Sequence, residues 1–176
     1  MNKFQAFAAT TALCVGFALP AAAEPANLLG VFGNWSAYTT GTGSSLTCFA
    51  MSKPRAMRPA TKRIAYLMVS DWPSRKVKSE IQVVYGYQGK EGAAAALGVG
   101  GDKFAFFIRN KGKEGSAWLQ QLGENSRLVT AMQDGVSAVA SGTISVGKKT
   151  AKSSDTYSLA GFNDAMTKVH AACDMQ

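Results

Sequence analysis

His170 and Cys173 stand three residues apart near the C-terminus, a spacing that puts both on one side of a helix. There an imidazole could activate a neighbouring thiolate as a nucleophile. The rest of the sequence argues against that chemistry. His170 is the sole histidine, and once Cys14 is set aside as part of an N-terminal leader, Cys48 and Cys173 are the remaining cysteines. An even pair in an oxidising compartment is most simply a disulfide, and a bonded Cys173 has no thiolate to activate. His170 then reads as an exposed helical residue beside the bond. Two Cys and one His do not complete a structural zinc site without distant carboxylates. There is no Ser in a Gly-x-Ser-x-Gly setting and no obvious carboxylate pair. The expectation is therefore a protein with no catalytic residues, no metal and no cofactor.

Two further patterns carry weaker signals. Gly142-Thr143-Ile144-Ser145-Val146-Gly147-Lys148 starts like a phosphate-binding P-loop, but Lys149 occupies the position where Ser or Thr must reach Mg²⁺. The flanking alternation also predicts a strand where a P-loop needs a helix. Trp35, Trp72 and Trp118 could together stack on a sugar ring, yet in a β-rich domain such aromatics are more often core, which is the expectation for Trp35 and Trp118. Asn34-Trp35-Ser36 fits a glycosylation sequon, to which a bacterial-type leader gives little meaning.

Charge is the strongest surface signal. With Lys3 removed in the leader, eighteen bases face eleven acids, a net of +7. Residues 53–78 hold Lys53, Arg55, Arg58, Lys62, Arg63, Arg75, Lys76 and Lys78 against the single acid Asp71, so this segment carries the whole excess. These eight residues are the candidate polyanion-binding set. Partners would be anionic envelope or host-surface molecules such as lipopolysaccharide or a host glycan, with nucleic acid not expected.

The elements that must position these residues are short strands. Phe32–Tyr38 and Leu46–Met51 read as a first hairpin, Ile64–Val69 as a central strand, and Ile81–Tyr85, Phe104–Ile108 and Ala117–Leu119 as further strands. Leu128, Val129 and Met132 after Asn125-Ser126 predict a short helix. Strand alternation resumes over Val136–Val146 and Thr156–Leu159. Phe162, Ala165, Met166, Val169 and Cys173 fall on one face of a C-terminal helix. The first residues have Lys3, an apolar run from about Phe7 to Leu19, Pro20 and Ala21-Ala22-Ala23, the order of a cleavable secretory signal over residues 1–23. Residues 24–176 then form one domain, with no later apolar run long enough to span a bilayer.

Taken in order, Phe32-Gly33-Asn34-Trp35, Cys48, Asp71-Trp72-Pro73, Gly86-Tyr87, Ala117-Trp118, Asp155-Thr156-Tyr157-Ser158-Leu159-Ala160-Gly161-Phe162 and Cys173 resemble the invasion associated locus B family of bacterial envelope proteins. The first motif usually reads Phe-Gly-Asp-Trp, and Asn34 departs from it. The resemblance implies an immunoglobulin-like β-sandwich, with the short internal helix, the C-terminal helix and one disulfide. It also implies a location in the periplasm or at the surface of a Gram-negative bacterium and, in pathogenic members, a link to host-cell entry. It supplies no mechanism; a periplasmic enzyme or small-ligand-binding protein is the alternative reading.

Overall fold

A computed structural model describes residues 25–175, so residues 1–23, read above as a secretory signal, lie outside the described residues. Eleven strands alternate with turns: β1 Asn27–Phe32, β2 Trp35–Thr40, β3 Thr47–Ser52, β4 Ala56–Arg58, β5 Tyr66–Trp72, β6 Val77–Val84, β7 Ala95–Val99, β8 Asp102–Lys111, β9 Glu114–Leu119, β10 Ser137–Val146 and β11 Lys149–Ser158. Helix α1 spans Asn125–Asp134 and α2 spans Phe162–Ala172. Among the described residues no helix is long and apolar enough to cross a membrane.

All strands join one antiparallel sheet in the order β1-β2-β3-β5-β6-β9-β8-β7-β10-β11-β4. The expectation of an immunoglobulin-like sandwich had two separate sheets, whereas the pairing here runs unbroken from edge to edge. A strongly twisted sheet of more than about ten strands must curl, split or flatten, and this one curls until its ends approach. Trp35 Nε1 on β2 donates to the Ser158 carbonyl on β11 at 3.0 Å, and Asn34 N–H donates to the Ala160 carbonyl at 3.0 Å. The crossover of β4 makes the same closure. Three residues separate β3 from β4, a reach of at most about 14 Å, yet β4 pairs with β11 at the far edge.

The closing contacts come from two of the stretches that carry the family resemblance. Gly33, at φ +55°, turns the chain between β1 and β2. Trp35 is fully buried and lies 4.9 Å from the Phe162 ring at the start of α2. Asn34 contributes its backbone N–H, which explains why the departure from aspartate at this position leaves the contact intact.

One core fills the curled sheet. It takes the inward residues of alternate strand positions, such as Leu67, Val69, Ile81, Val83, Phe104, Phe106 and Ile108. Leu128 and Met132 of α1 and Phe162, Ala165, Met166 and Val169 of α2 complete it. Cys48 on β3 and Cys173 at the end of α2 form the expected disulfide across 125 residues. Beside it, His170 Nδ1 donates to Asp71 Oδ2 at 2.6 Å, and Asp71 Oδ1 accepts the Ser79 N–H at 2.8 Å. His170 is thus not the exposed residue expected from helical spacing; it fastens α2 to the fully buried Asp71 of β5.

A bond closing so long a loop removes much entropy from the unfolded chain. Cys173→Ser is expected to lower stability by about 2–5 kcal/mol in urea unfolding; an unchanged midpoint would show that the other α2 contacts suffice.

Candidate functional site

The eight basic residues do not form one patch. Strand β5 separates them into two groups about 20 Å apart along its length. Lys53, Arg55, Arg58 and Lys62 are exposed around β4 at one end, and Arg75, Lys76 and Lys78 are exposed around the β5–β6 turn at the other.

Arg63 belongs to neither group, which corrects its place in the polyanion-binding set. Its side chain is buried in a bidentate pair with Asp155: Nη1 donates to Oδ2 at 2.8 Å and Nη2 donates to Oδ1. Nη1 also donates to the Tyr85 carbonyl at 2.7 Å. A buried guanidinium must be paired and hydrogen-bonded, so Arg63 is structural and closed to an external ligand. Tyr85 and Tyr157 pack beside the pair, and burial, reinforced by the Asp155 charge, raises both phenols well above their ordinary value.

The P-loop-like stretch is also structural. Thr143 to Val146 lie in β10, and the following Gly147 is a turn residue at φ +62°. Gly142 is needed because a Cβ there would lie 2.6 Å from the Tyr85 hydroxyl oxygen. That hydroxyl donates to the Ser141 carbonyl at 3.2 Å. Among the described residues no three His, Cys, Asp or Glu side chains gather as potential metal ligands.

The site with binding geometry is an open trough of about 900 Å³ on the outer face of β6, β9 and β8. Strand alternation builds it. Ile81, Ala117, Phe106 and Ile108 point to the core, so their neighbours Gln82, Trp118 and Phe107 point outward. Register then places these three side by side, Gln82 opposite Trp118 and Trp118 opposite Phe107. The two rings stack with centroids 6.0 Å apart and planes 28° apart. Gln82 Nε2 donates to Ser116 Oγ at 2.9 Å, which fixes the amide beside the rings.

A bulge completes the trough. From Ser70 to Trp72 β5 advances two residues while β6 moves three, from Glu80 to Val77. Ser79 sits in this extra turn of chain at φ +56°, a conformation costly for a residue with a Cβ and held here by the Asp71 hydrogen bond. Trp72 lines the near end and donates its Nε1–H to Glu80 Oε2 at 3.1 Å. Arg75 Cζ lies 5.3 Å from the Trp72 ring centroid and Arg109 Cζ lies 5.7 Å from that of Phe107, both within cation–π range. Lys78 and the exposed Leu122 stand on the rim.

Of the sequence candidates, Arg75 and Lys78 reach this trough. Trp118 lines it too, contrary to the expectation that it is core, whereas Trp35 is core as expected. Phe107, Arg109 and Gln82 were missed. A signal for Phe107 exists: in Phe104-Ala105-Phe106-Phe107-Ile108 it is the aromatic out of phase with the buried alternation.

Fold and trough together define an all-antiparallel β domain, closed by a disulfide, that presents an aromatic and basic face to solvent. No family model matches the chain, and no curated protein matches it in sequence. Among solved structures, the fold matches the crystal structure of invasion associated protein b from Bartonella henselae, with a TM-score of 0.56 at 15% identity over 82% of this chain and 97% of that one. The resemblance expected from the motifs is therefore present as a shared fold.

The buried tyrosines give a direct check on the inner network. Unfolded tyrosines ionise near pH 10 while native Tyr85 and Tyr157 hold their protons, so the native state binds more protons and stability falls as pH rises past about 10. Absorbance at the phenolate band should show these two remaining protonated until the chain unfolds; their ionisation in the folded protein, ahead of unfolding, would contradict the described burial.

Proposed function

We propose that this protein is an exported, non-enzymatic component of the Gram-negative envelope that acts by binding anionic molecules of the envelope or the host surface, and so contributes to interaction with host cells. The shared fold with invasion associated protein b of Bartonella henselae carries the reading. The Cys48–Cys173 bond supports it, because such bonds persist in oxidising compartments outside the cytoplasm. The localised basic groups support an anionic partner: Arg75, Lys76 and Lys78 at one end, and Lys53, Arg55, Arg58 and Lys62 at the other, are all exposed. An open face lined by rings and cations suits association with an extended molecule better than enclosure of a small reacting one.

The test combines location and binding. Fractionation of the source bacterium should place the protein in the periplasm, outer membrane or medium, with an intact mass beginning within a few residues of Glu24. The purified protein should bind heparin or lipopolysaccharide, and binding should weaken steeply as the screening length falls to about 8 Å. Recovery in the cytoplasm with residues 1–23 retained, or no binding to either polymer at low salt, would overturn the reading.

A further inference from the structure

We propose that the outer trough of β6, β9 and β8 is a binding site for an acidic polysaccharide of the glycosaminoglycan type, with sugar rings on the aromatic faces and carboxylate or sulfate groups on Arg75, Lys78 and Arg109. This rests on the polyanion-binding reading above and assigns it a site and a ligand class.

The chemistry follows from what the trough contains. Trp72, Phe107 and Trp118 offer apolar rings on which the C–H face of a pyranose can lie, and two of them are already ordered against each other. Their order lowers the entropy lost on binding. Arg75 and Arg109 are held over aromatic rings rather than spent in salt bridges; neither they nor Lys78 has an ion-pair partner among the described residues. The single acid of the lining, Glu80, is engaged by the Trp72 indole. A net positive lining of rings and guanidinium forks matches a sugar that bears planar carboxylates or sulfates.

The alternative anionic ligands fit less well. A lipid-linked glycan needs somewhere to put its acyl chains, and the trough is an open surface between strands rather than an enclosed apolar cavity. The second basic group, Lys53 to Lys62, has cations but lies outside this aromatic lining, at the opposite end of β5. It would add electrostatic attraction without a stacking platform.

The experiment measures binding of the mature protein to a size-defined heparin hexasaccharide, a neutral dextran oligosaccharide of equal length, and lipopolysaccharide, each at low and physiological salt. Trp118→Ala and Arg109→Ala should each weaken hexasaccharide binding by tenfold or more, and the conservative Trp118→Phe should retain most of it. Because Arg109 is exposed on an outer strand face, its variant keeps the test valid should Trp118→Ala fold poorly. A triple Arg55→Ala, Arg58→Ala, Lys62→Ala variant removes only the long-range attraction of the other end, so it should lose less hexasaccharide binding than either trough variant, and its loss should shrink at physiological salt. Wild-type binding that survives the trough variants but is lost in the triple variant overturns the assigned site while leaving the polyanion reading intact. Binding to lipopolysaccharide alone, or equal binding to dextran, overturns the ligand class. Failure of the wild type to bind any of the acidic polymers overturns both.

Discussion

The buried pair of Arg63 and Asp155 joins parts of the chain that the sheet must bring together to close. Arg63 lies on the connection that leaves β4 at one edge and returns to β5 in the middle, and Asp155 lies on β11 beside that edge. Neither charge can be buried alone, since an isolated ion in a core costs many kcal/mol. Geometry therefore ties three things together: the crossover of β4 onto β11, the end of β6 at Tyr85, and the curl of the sheet around the two phenols. Removing one partner of such a pair typically costs about 3–5 kcal/mol, because it strands the other. The pair also divides the basic segment, withdrawing one cation from the surface and fixing Lys53 to Lys62 at the end of the molecule remote from Arg75.

Closure leaves an inside and an outside with different work to do. Inside, Trp35, Phe162, the disulfide and the His170 to Asp71 contact hold α2 and the ends of the sheet. Asp71 connects this interior to the outer face, because the same carboxylate that receives His170 also steadies Ser79 in the β6 bulge. The bulge sits between Trp72 and Lys78 of the trough, so scaffold and binding face share one strained turn of chain.

What the sequence made legible follows from how local each signal is. Both helices could be read because their apolar residues recur within a few positions, and Cys48 with Cys173 because few thiols were present to pair. Strand β7 was missed because Ala95–Val99 sits in an Ala- and Gly-rich stretch with little β-branched character. Strand β4 has only three residues, and β11 from Lys149 to Asp155 is polar, with no apolar alternation to read. The burial of Arg63 depends on a carboxylate 92 residues away, which no local pattern reports. Trp118 was assigned to the core from its type, whereas the phase set by Ala117 and Leu119 turns it outward. The single continuous sheet, too, depends on β6 pairing with β9 and β7 with β10, links between segments distant in the chain.

The claim that function resides on the outer face can be tested with the three tryptophans as internal probes. Trp72 and Trp118 line the trough, and Trp35 is buried against Phe162 with its indole N–H given to the Ser158 carbonyl. In a nitrogen-15 NMR titration of the mature protein with a heparin hexasaccharide, the indole signals of Trp72 and Trp118 should move together with the amides of β6, β9 and β8, while the Trp35 indole stays in place. Shifts confined to the segment from Lys53 to Lys62, with the Trp72 and Trp118 signals unmoved, would contradict the account.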